Sequence, residues 1–277
     1  MRTVVHVSDL HFGAADDDIV SALRDHIIRL SPSVVAVSGD LTQRARRAQF
    51  ARARRFLDAL PAPQVVVPGN HDVPLYDVLS RFGDPLWRFR RSITRDRFPA
   101  FADEEIAVLG ADTTRSFTIK DGGLRPADVG RLAAALARFD PGVLKIVVCH
   151  HPFDRPATPG ARLTRPAADA NAVATLVAHG ADVFLTGHLH LSSTGHSAVR
   201  YRTPGRSAIV VEAGTATSTR ARGEPNAFNV LRTDRDTITI ERLAWDADER
   251  RFVPVRAELS VRTDGGWTPP VEAETRR

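Results

Sequence analysis

The chain has 277 residues, 43% hydrophobic and 26% charged, an ordinary globular balance that excludes a disordered or fibrous class and can bury a sizeable core. Its formal net charge of +5 is almost all arginine, since only Lys120 and Lys145 are lysines; with abundant alanine this reads as a GC-rich genome's usage, so nucleic acid is not favoured as a partner. No run reaches the roughly 18 apolar residues of a membrane span, His6 interrupts an N-terminal run already too short for a secretory signal, and the single Cys149 excludes an internal disulfide, so a cytoplasmic location is expected.

In chain order, Thr3 to Val7 reads as a first strand ending in Ser8-Asp9-Leu10-His11. Asp16, Asp17 and Asp18 suit a helix N-terminus, where carboxylates satisfy free N–H groups, and Ile19, Leu23, Ile27 and Leu30 follow at helical spacing. Val34 to Ser38 forms a second strand ending in Gly39-Asp40. A basic helix follows, with Arg44, Arg46, Arg47, Arg52, Arg54 and Arg55 read as a solvated face. Val65 to Val67 is a third short strand, and Pro68-Gly69 turns the chain into Asn70-His71-Asp72. From Leu75 to Phe98 apolar and arginine residues mix, which predicts one or two helices broken near Gly83-Asp84-Pro85; this insertion either walls a site, forms a homodimer contact or packs on the sheet.

Ile106 to Ala111 reads as a fourth strand, Pro126 opens a helix to Phe139, and Lys145 to Cys149 is a fifth strand ending in His150-His151-Pro152. Asp169 can cap a helix that ends at Gly180, and Asp182 to Thr186 is a sixth strand ending in Gly187-His188-Leu189-His190. Beyond about Ser193 the pattern has period two over 208–212, 228–232, 237–242 and 252–258, which predicts antiparallel strands. The expected organisation is one domain over residues 1–263, with the insertion at about 75–98, and a loose polar tail over 264–277.

Five strand ends therefore carry the same kind of side chain: Asp9 with His11, Asp40, Asn70 with His71, His150, and His188 with His190. In an open α/β sheet, ligand chemistry collects beyond the carboxyl ends of the strands. Oxygen and imidazole donors without thiolate suit Mn, Fe, Zn or similar ions rather than a cysteine-type structural zinc site. Five of the ten histidines fall at these ends, too many for chance.

Ser8-Asp9-Leu10-His11, Gly39-Asp40, Gly69-Asn70-His71-Asp72, His150-His151-Pro152 and Gly187-His188-Leu189-His190 together resemble the five ordered motifs of the calcineurin-like metallophosphoesterases, across residues 3 to 190. The resemblance implies an α/β/β/α sandwich of two facing mixed sheets and two bound metal ions. Asp9, His11, Asp40 and His190 would hold one ion; Asp40, Asn70, His150 and His188 would hold the other, with Asp40 bridging. A hydroxide held between them would attack phosphorus in line. His71, outside both shells, would assist the leaving oxygen, and Asp72 could orient it. His151 is expected to fix the loop or contact substrate rather than ligate. Asn-His-Asp and the stretch 213–226 resemble the class III cyclic nucleotide phosphodiesterase branch, in which Thr215, Arg220 and Arg222 could line the site. The implied substrate is a small phosphoester, 3′,5′-cAMP first. A broader phosphodiesterase or phosphomonoesterase, and a non-catalytic protein-binding scaffold, are the alternatives.

Overall fold

A computed structural model describes residues 1–60, 63–153, 170–198, 206–219 and 223–273. The elements in order are β1 (Arg2–Val7), α1 (Asp17–Leu30), β2 (Val34–Ser38), α2 (Arg47–Asp58), β3 (Gln64–Val67), α3 (Val78–Gly83), α4 (Trp87–Ser92), β4 (Ala100–Ala102), β5 (Ile106–Gly110), α5 (Pro126–Leu136), β6 (Leu144–Val148), α6 (Ala170–Ala178), β7 (Val183–Thr186) and β8 (Ser193–His196). They continue with β9 (Ile209–Glu212), β10 (Ala227–Thr233), β11 (Thr237–Asp246), β12 (Arg251–Thr263), β13 (Gly266–Trp267) and β14 (Val271–Ala273).

Two mixed sheets face each other. One runs β13-β12-β11-β10-β1-β2-β3 with β14 paired to β12; the other runs β4-β5-β6-β7-β9-β8. The central strands read as continuous apolar runs because both faces are covered. In β2, Val34 and Ala36 point into the core between the sheets, while Val35 and Val37 pack outward with Leu23, Ile27 and Phe50 of α1 and α2. On the far side Val147, Phe184 and Val210 pack against Leu132, Leu136 and Val173 of α5 and α6. The result is the expected α/β/β/α sandwich. Asp16 caps α1 as the sequence suggests, accepting from the Asp18 and Ile19 N–H groups; the predicted cap at Asp169 lies outside the described residues.

Several expectations are corrected. The predicted antiparallel run at 208–212 is β9, which lies parallel to β7 and antiparallel only to β8, a strand the sequence reading missed. Residues 264–273 are no loose tail: β13 and β14 both pair with β12, and Trp267 is buried in the inter-sheet core. The insertion divides in two. Leu86 and Phe89, at the start of and within α4, join the core of Phe50 and α2, whereas α3 keeps exposed apolar side chains.

Candidate metal centre

Parallel strands β1, β2 and β3 of one sheet and β6 and β7 of the other deliver all seven proposed ligands at their carboxyl ends. The turns that follow are unusual backbone. Asp9, His11, Asp40, His188 and His190 all adopt left-handed φ, between 47° and 76°. Such conformations are costly for residues with a Cβ, persist only where the surroundings over-determine them, and cluster at functional sites. The surroundings here are dense. Asp9 N donates to Gly39 O at 3.1 Å, His11 N to Asp40 O at 2.9 Å and Gly187 N to His150 O at 3.0 Å. Glycines precede ligands because the loops nearly touch: a Cβ at Gly187 would overlap Ser8 Oγ, and one at Gly39, itself at φ +92°, would lie 2.7 Å from His150 Nδ1.

The donors form two groups. Asn70 Oδ1 lies 3.1 Å from His150 Nε2 and 2.9 Å from His188 Nδ1, and those two nitrogens are 3.2 Å apart. His150 Nδ1 sits 2.8 Å from Ser38 O, a carbonyl that can only accept, so that nitrogen carries a proton and Nε2 is the atom turned toward Asn70 and His188. In the second group His11 Nε2 and His190 Nε2 are 3.0 Å apart. Asp9 Oδ1, buried and accepting no hydrogen bond, lies 3.0 Å from His190 Nε2 and 3.4 Å from His11 Nε2. Asp40 joins the groups: Oδ2 is 3.7 Å from His11 Nε2, and Oδ1 is 3.5 Å from His150 Nε2. Lone pairs brought this close repel unless a cation or a shared proton lies among them, so the residues fit a pair of metal ions.

Electrostatics agree. Burial opposes the ionised form of Asp9, but His190 and His11 outweigh it and hold this carboxyl well below the usual range. Burial likewise works against charge on His150, yet Asp40 and Asp9 pull its pKa up to about 9. The remaining oxygen of Asp9 is fixed by Ser8 Oγ at 2.7 Å and His188 N at 2.9 Å, which aims Oδ1 at the centre.

His71 lies beside both groups. Its ring stands edge-on to that of His11, 4.9 Å between centroids, and its backbone N–H donates to Asp40 Oδ1 at 2.8 Å. Nδ1 is 2.9 Å from Gln43 O, so it carries a proton, which leaves Nε2 as the ring's other polar atom. Burial lowers the pKa of His71, partly offset by Asp40. The expected role of Asp72 is corrected. Its oxygens accept from the N–H groups of Gly69, Leu41 and Thr42 and from Thr42 Oγ1, so Asp72 braces two ligand loops and the Gln43 carbonyl orients His71. Burial, then Asp40, raises the Asp72 carboxyl to about 6 against those bonds.

The substrate contacts fare differently. Thr215 is buried and donates to Asp9 O at 2.7 Å, so it holds the ligand loop and does not face substrate. Arg220 and Arg222 lie outside the described residues. His151 is buried against the rings of both His150 and His188, with Thr113 Oγ1 2.8 Å from its Nδ1, and its donor atom falls within 4.8 Å of theirs, so it is part of the cluster. One residue escaped the sequence reading altogether. Arg44, which the sequence pattern puts on a solvated basic face, precedes α2 and places Nη1 3.2 Å from His71 Nδ1 while donating to Gln43 O. Its position four residues after Asp40, on a ligand loop, was the available signal. His26 packs against Phe228, and His196 Nε2 lies 2.6 Å from Trp267 O; both serve the fold.

A two-sheet sandwich with carboxylate, imidazole and amide donors gathered at its strand ends, none of them a thiolate, defines a dinuclear-type metal site. The chain belongs to the calcineurin-like phosphoesterase family, whose model matches residues 2–192. That family uses dinuclear metal centres, and the buried Asp and His cluster fits one. A glycerophosphodiester phosphodiesterase of Enterobacter lignolyticus is 35% identical over 82 residues, 25% of this chain and 29% of that protein. A Synechococcus protein described as "Probable cyclic nucleotide phosphodiesterase" is 25% identical over 99 residues, 31% of this chain and 39% of its own length. The chain thus aligns with well under half of these relatives. Among solved structures, a purple acid phosphatase from yellow lupin superposes with a TM-score of 0.68 at 12% identity, over 91% of this chain and 52% of that one, which is a likeness of fold. No helix among the described residues is long and apolar enough to cross a membrane.

Proposed function

We propose that this chain is a dinuclear metal-dependent phosphodiesterase acting on small phosphoesters, with 3′,5′-cyclic nucleotides, cAMP first, opened to the nucleoside monophosphate. The observation that carries the reading is Asp40, whose two oxygens reach toward separate donor groups, His11 on one side and His150 on the other. Asp9, His11, Asp40 and His190 would hold one ion, and Asp40, Asn70, His150 and His188 the other. When bound, two ions of this kind clamp phosphoryl oxygens and lower the pKa of water.

The protein's own part follows from the geometry. The left-handed turns and the bracing by Asp72 hold the donors in place before substrate arrives. Neutral Asn70 completes its group without setting a further negative charge beside a phosphate. His71, its Nδ1–H fixed on Gln43 O, is oriented to act on the departing ester oxygen through Nε2; as the imidazolium, with both ring nitrogens protonated, it would give up the Nε2 proton and return to the neutral ring. Arg44 adds a positive charge beside that ring, where a phosphate's negative charge gathers.

The test is hydrolysis of an aryl phosphodiester by chelated protein, before and after addition of Mn²⁺. Turnover that survives complete metal removal would refute the proposal. The cyclic nucleotide assignment requires cAMP to be turned over more efficiently than linear diesters and monoesters. A second reading, a broader diesterase that includes glycerophosphodiesters, is favoured by the Enterobacter relative and predicts the opposite ranking.

A further inference from the structure

Eleven large apolar side chains are exposed among the described residues, and six of them lie in two short segments: Tyr76, Val78, Leu79 and Phe82 on and before α3, and Phe117 and Ile119 in the loop after β5. Phe117 is 90% exposed, Leu79 88% and Tyr76 79%. Isolated exposed apolar residues are ordinary, but a contiguous group marks a binding surface. These segments are contiguous. Arg81 donates to Thr118 O at 2.5 Å and to Pro74 O at 3.0 Å, and the rings of Phe82 and Phe117 stand 5.5 Å apart.

The group also adjoins the metal centre. Asn70 Nδ2 donates to Ile119 O at 3.2 Å, while Oδ1 of the same amide faces His150 and His188. Gly122 backs onto His151, where a Cβ would overlap its ring. Phe117 is two residues from Ile119, whose carbonyl Asn70 holds, so this ring stands on the same loop as the tie to the donor group.

We infer that Phe117, Ile119 and Phe82 form the surface that receives an aromatic group carried by the substrate, so the centre selects phosphodiesters with an aryl or nucleobase-bearing alcohol over glycerol-type diesters. The inference rests on the phosphodiesterase reading. Aromatic faces accept flat rings of many kinds by stacking, with little demand on hydrogen bonding. Glycerol and ethanolamine groups offer nothing to such a surface.

The experiment uses the Mn²⁺-loaded full chain with bis(p-nitrophenyl) phosphate, cAMP and sn-glycero-3-phosphoethanolamine. Phe117→Ser and Ile119→Ser replace exposed side chains, so both variants should fold, and circular dichroism checks this. Val255→Ser, an exposed apolar residue on β12 far along the chain from the site, serves as the control. Phe117→Ser should raise KM for the two ring-bearing substrates about tenfold while kcat moves less than twofold, with the control unchanged. KM unchanged in both rim variants, or shifted equally for the ringless diester, would overturn the inference while leaving the phosphodiesterase reading intact. A rim that instead dimerises, seen as a mass halved in the variants with KM unaltered, would also overturn it. Failure of the loaded wild type to hydrolyse any diester would mark failure of the phosphodiesterase reading itself.

Discussion

The two walls of the metal centre are built by opposite rules. One wall is the loop carrying Asp9 and His11. The segment between β9 and β10 zips along it: Ala216 N donates to Ser8 O, and the hydroxyls of Thr215, Thr217 and Thr219 donate to the carbonyls of Asp9, Leu10 and Ala14. Asn226 locks that segment from behind, donating to Thr215 O and Ser218 O. The other wall is Asn70, the loop through Phe117 and Ile119, and α3; the tie from this loop to Asn70 is the single bond to Ile119 O, and its apolar side chains face water. The first wall is where two left-handed residues must be held against their own backbone preference. The second is where a variable organic group could be met. Dense hydrogen bonding braces the first wall, and exposed apolar surface marks the second.

The comparison breaks most completely at the residue common to both donor groups. Asp40→Ala, or chelation of the wild type, should remove bound metal from both groups and lower kcat/KM for an aryl diester by on the order of 10³-fold or more, since several kcal/mol of transition-state stabilisation go with the ions. Metal analysis beside the rate measurement checks this; retention of two ions per chain in Asp40→Ala would remove its bridging role. Next in size is His71→Ala. Both ions should stay bound, and the rate should fall about 10²- to 10⁴-fold, the range for a lost general acid or base. The loss should be greatest for poor leaving groups. An equal loss for nitrophenyl and alkyl esters would mean that His71 does not act on the leaving oxygen.

A smaller effect sharpens the contrast between the walls. Thr215→Val keeps volume but removes the hydroxyl that holds Asp9 O. Supporting groups behind a ligand typically contribute 10- to 100-fold in metal affinity, so titration of metal-free protein with Mn²⁺ should show Kd rising by about that factor. Phe117→Ser on the other wall should leave Kd for Mn²⁺ unchanged. If both variants shift metal affinity alike, the two walls are not functionally distinct.

The proposed ligands were legible because they sit at the ends of short valine- or isoleucine-rich runs, Asp9, Asp40, Asn70 and His188 directly after a glycine or serine, His150 after Cys149, and His11 and His190 two residues beyond Asp9 and His188. The repeated arrangement implies that they meet, and the structure places these donors within a few ångströms of one another in two adjoining groups. The supports were not legible. Thr215, Thr217 and Thr219 sit in a Gly- and Thr-rich stretch that reads as a turn, and the carbonyls they hold are about 200 residues away, as in the Thr215 to Asp9 separation of 206. Asp72 looked catalytic because it follows His71, but adjacency along the chain did not place its carboxylate on the ring. The C-terminal stretch misled through its Gly, Pro and polar content. What orders it is Trp267, buried between the sheets with its indole N–H donating to Asp182 at 2.9 Å, a contact across 85 residues.

The smallest expected effect is the most specific to the second wall. Leu79 is 88% exposed on a six-residue helix, so it contributes almost nothing to the core. Leu79→Ser should therefore change unfolding free energy by no more than about 0.5 kcal/mol, as for surface positions away from packed features. It should also leave Mn²⁺ affinity untouched. Denaturant melts of the wild type and the variant measure the first quantity. A loss well above that bound would mean that α3 is packed against something as firmly as the threonine-held loop is, and the distinction between a braced wall and an open one would fail at the place where it is easiest to see.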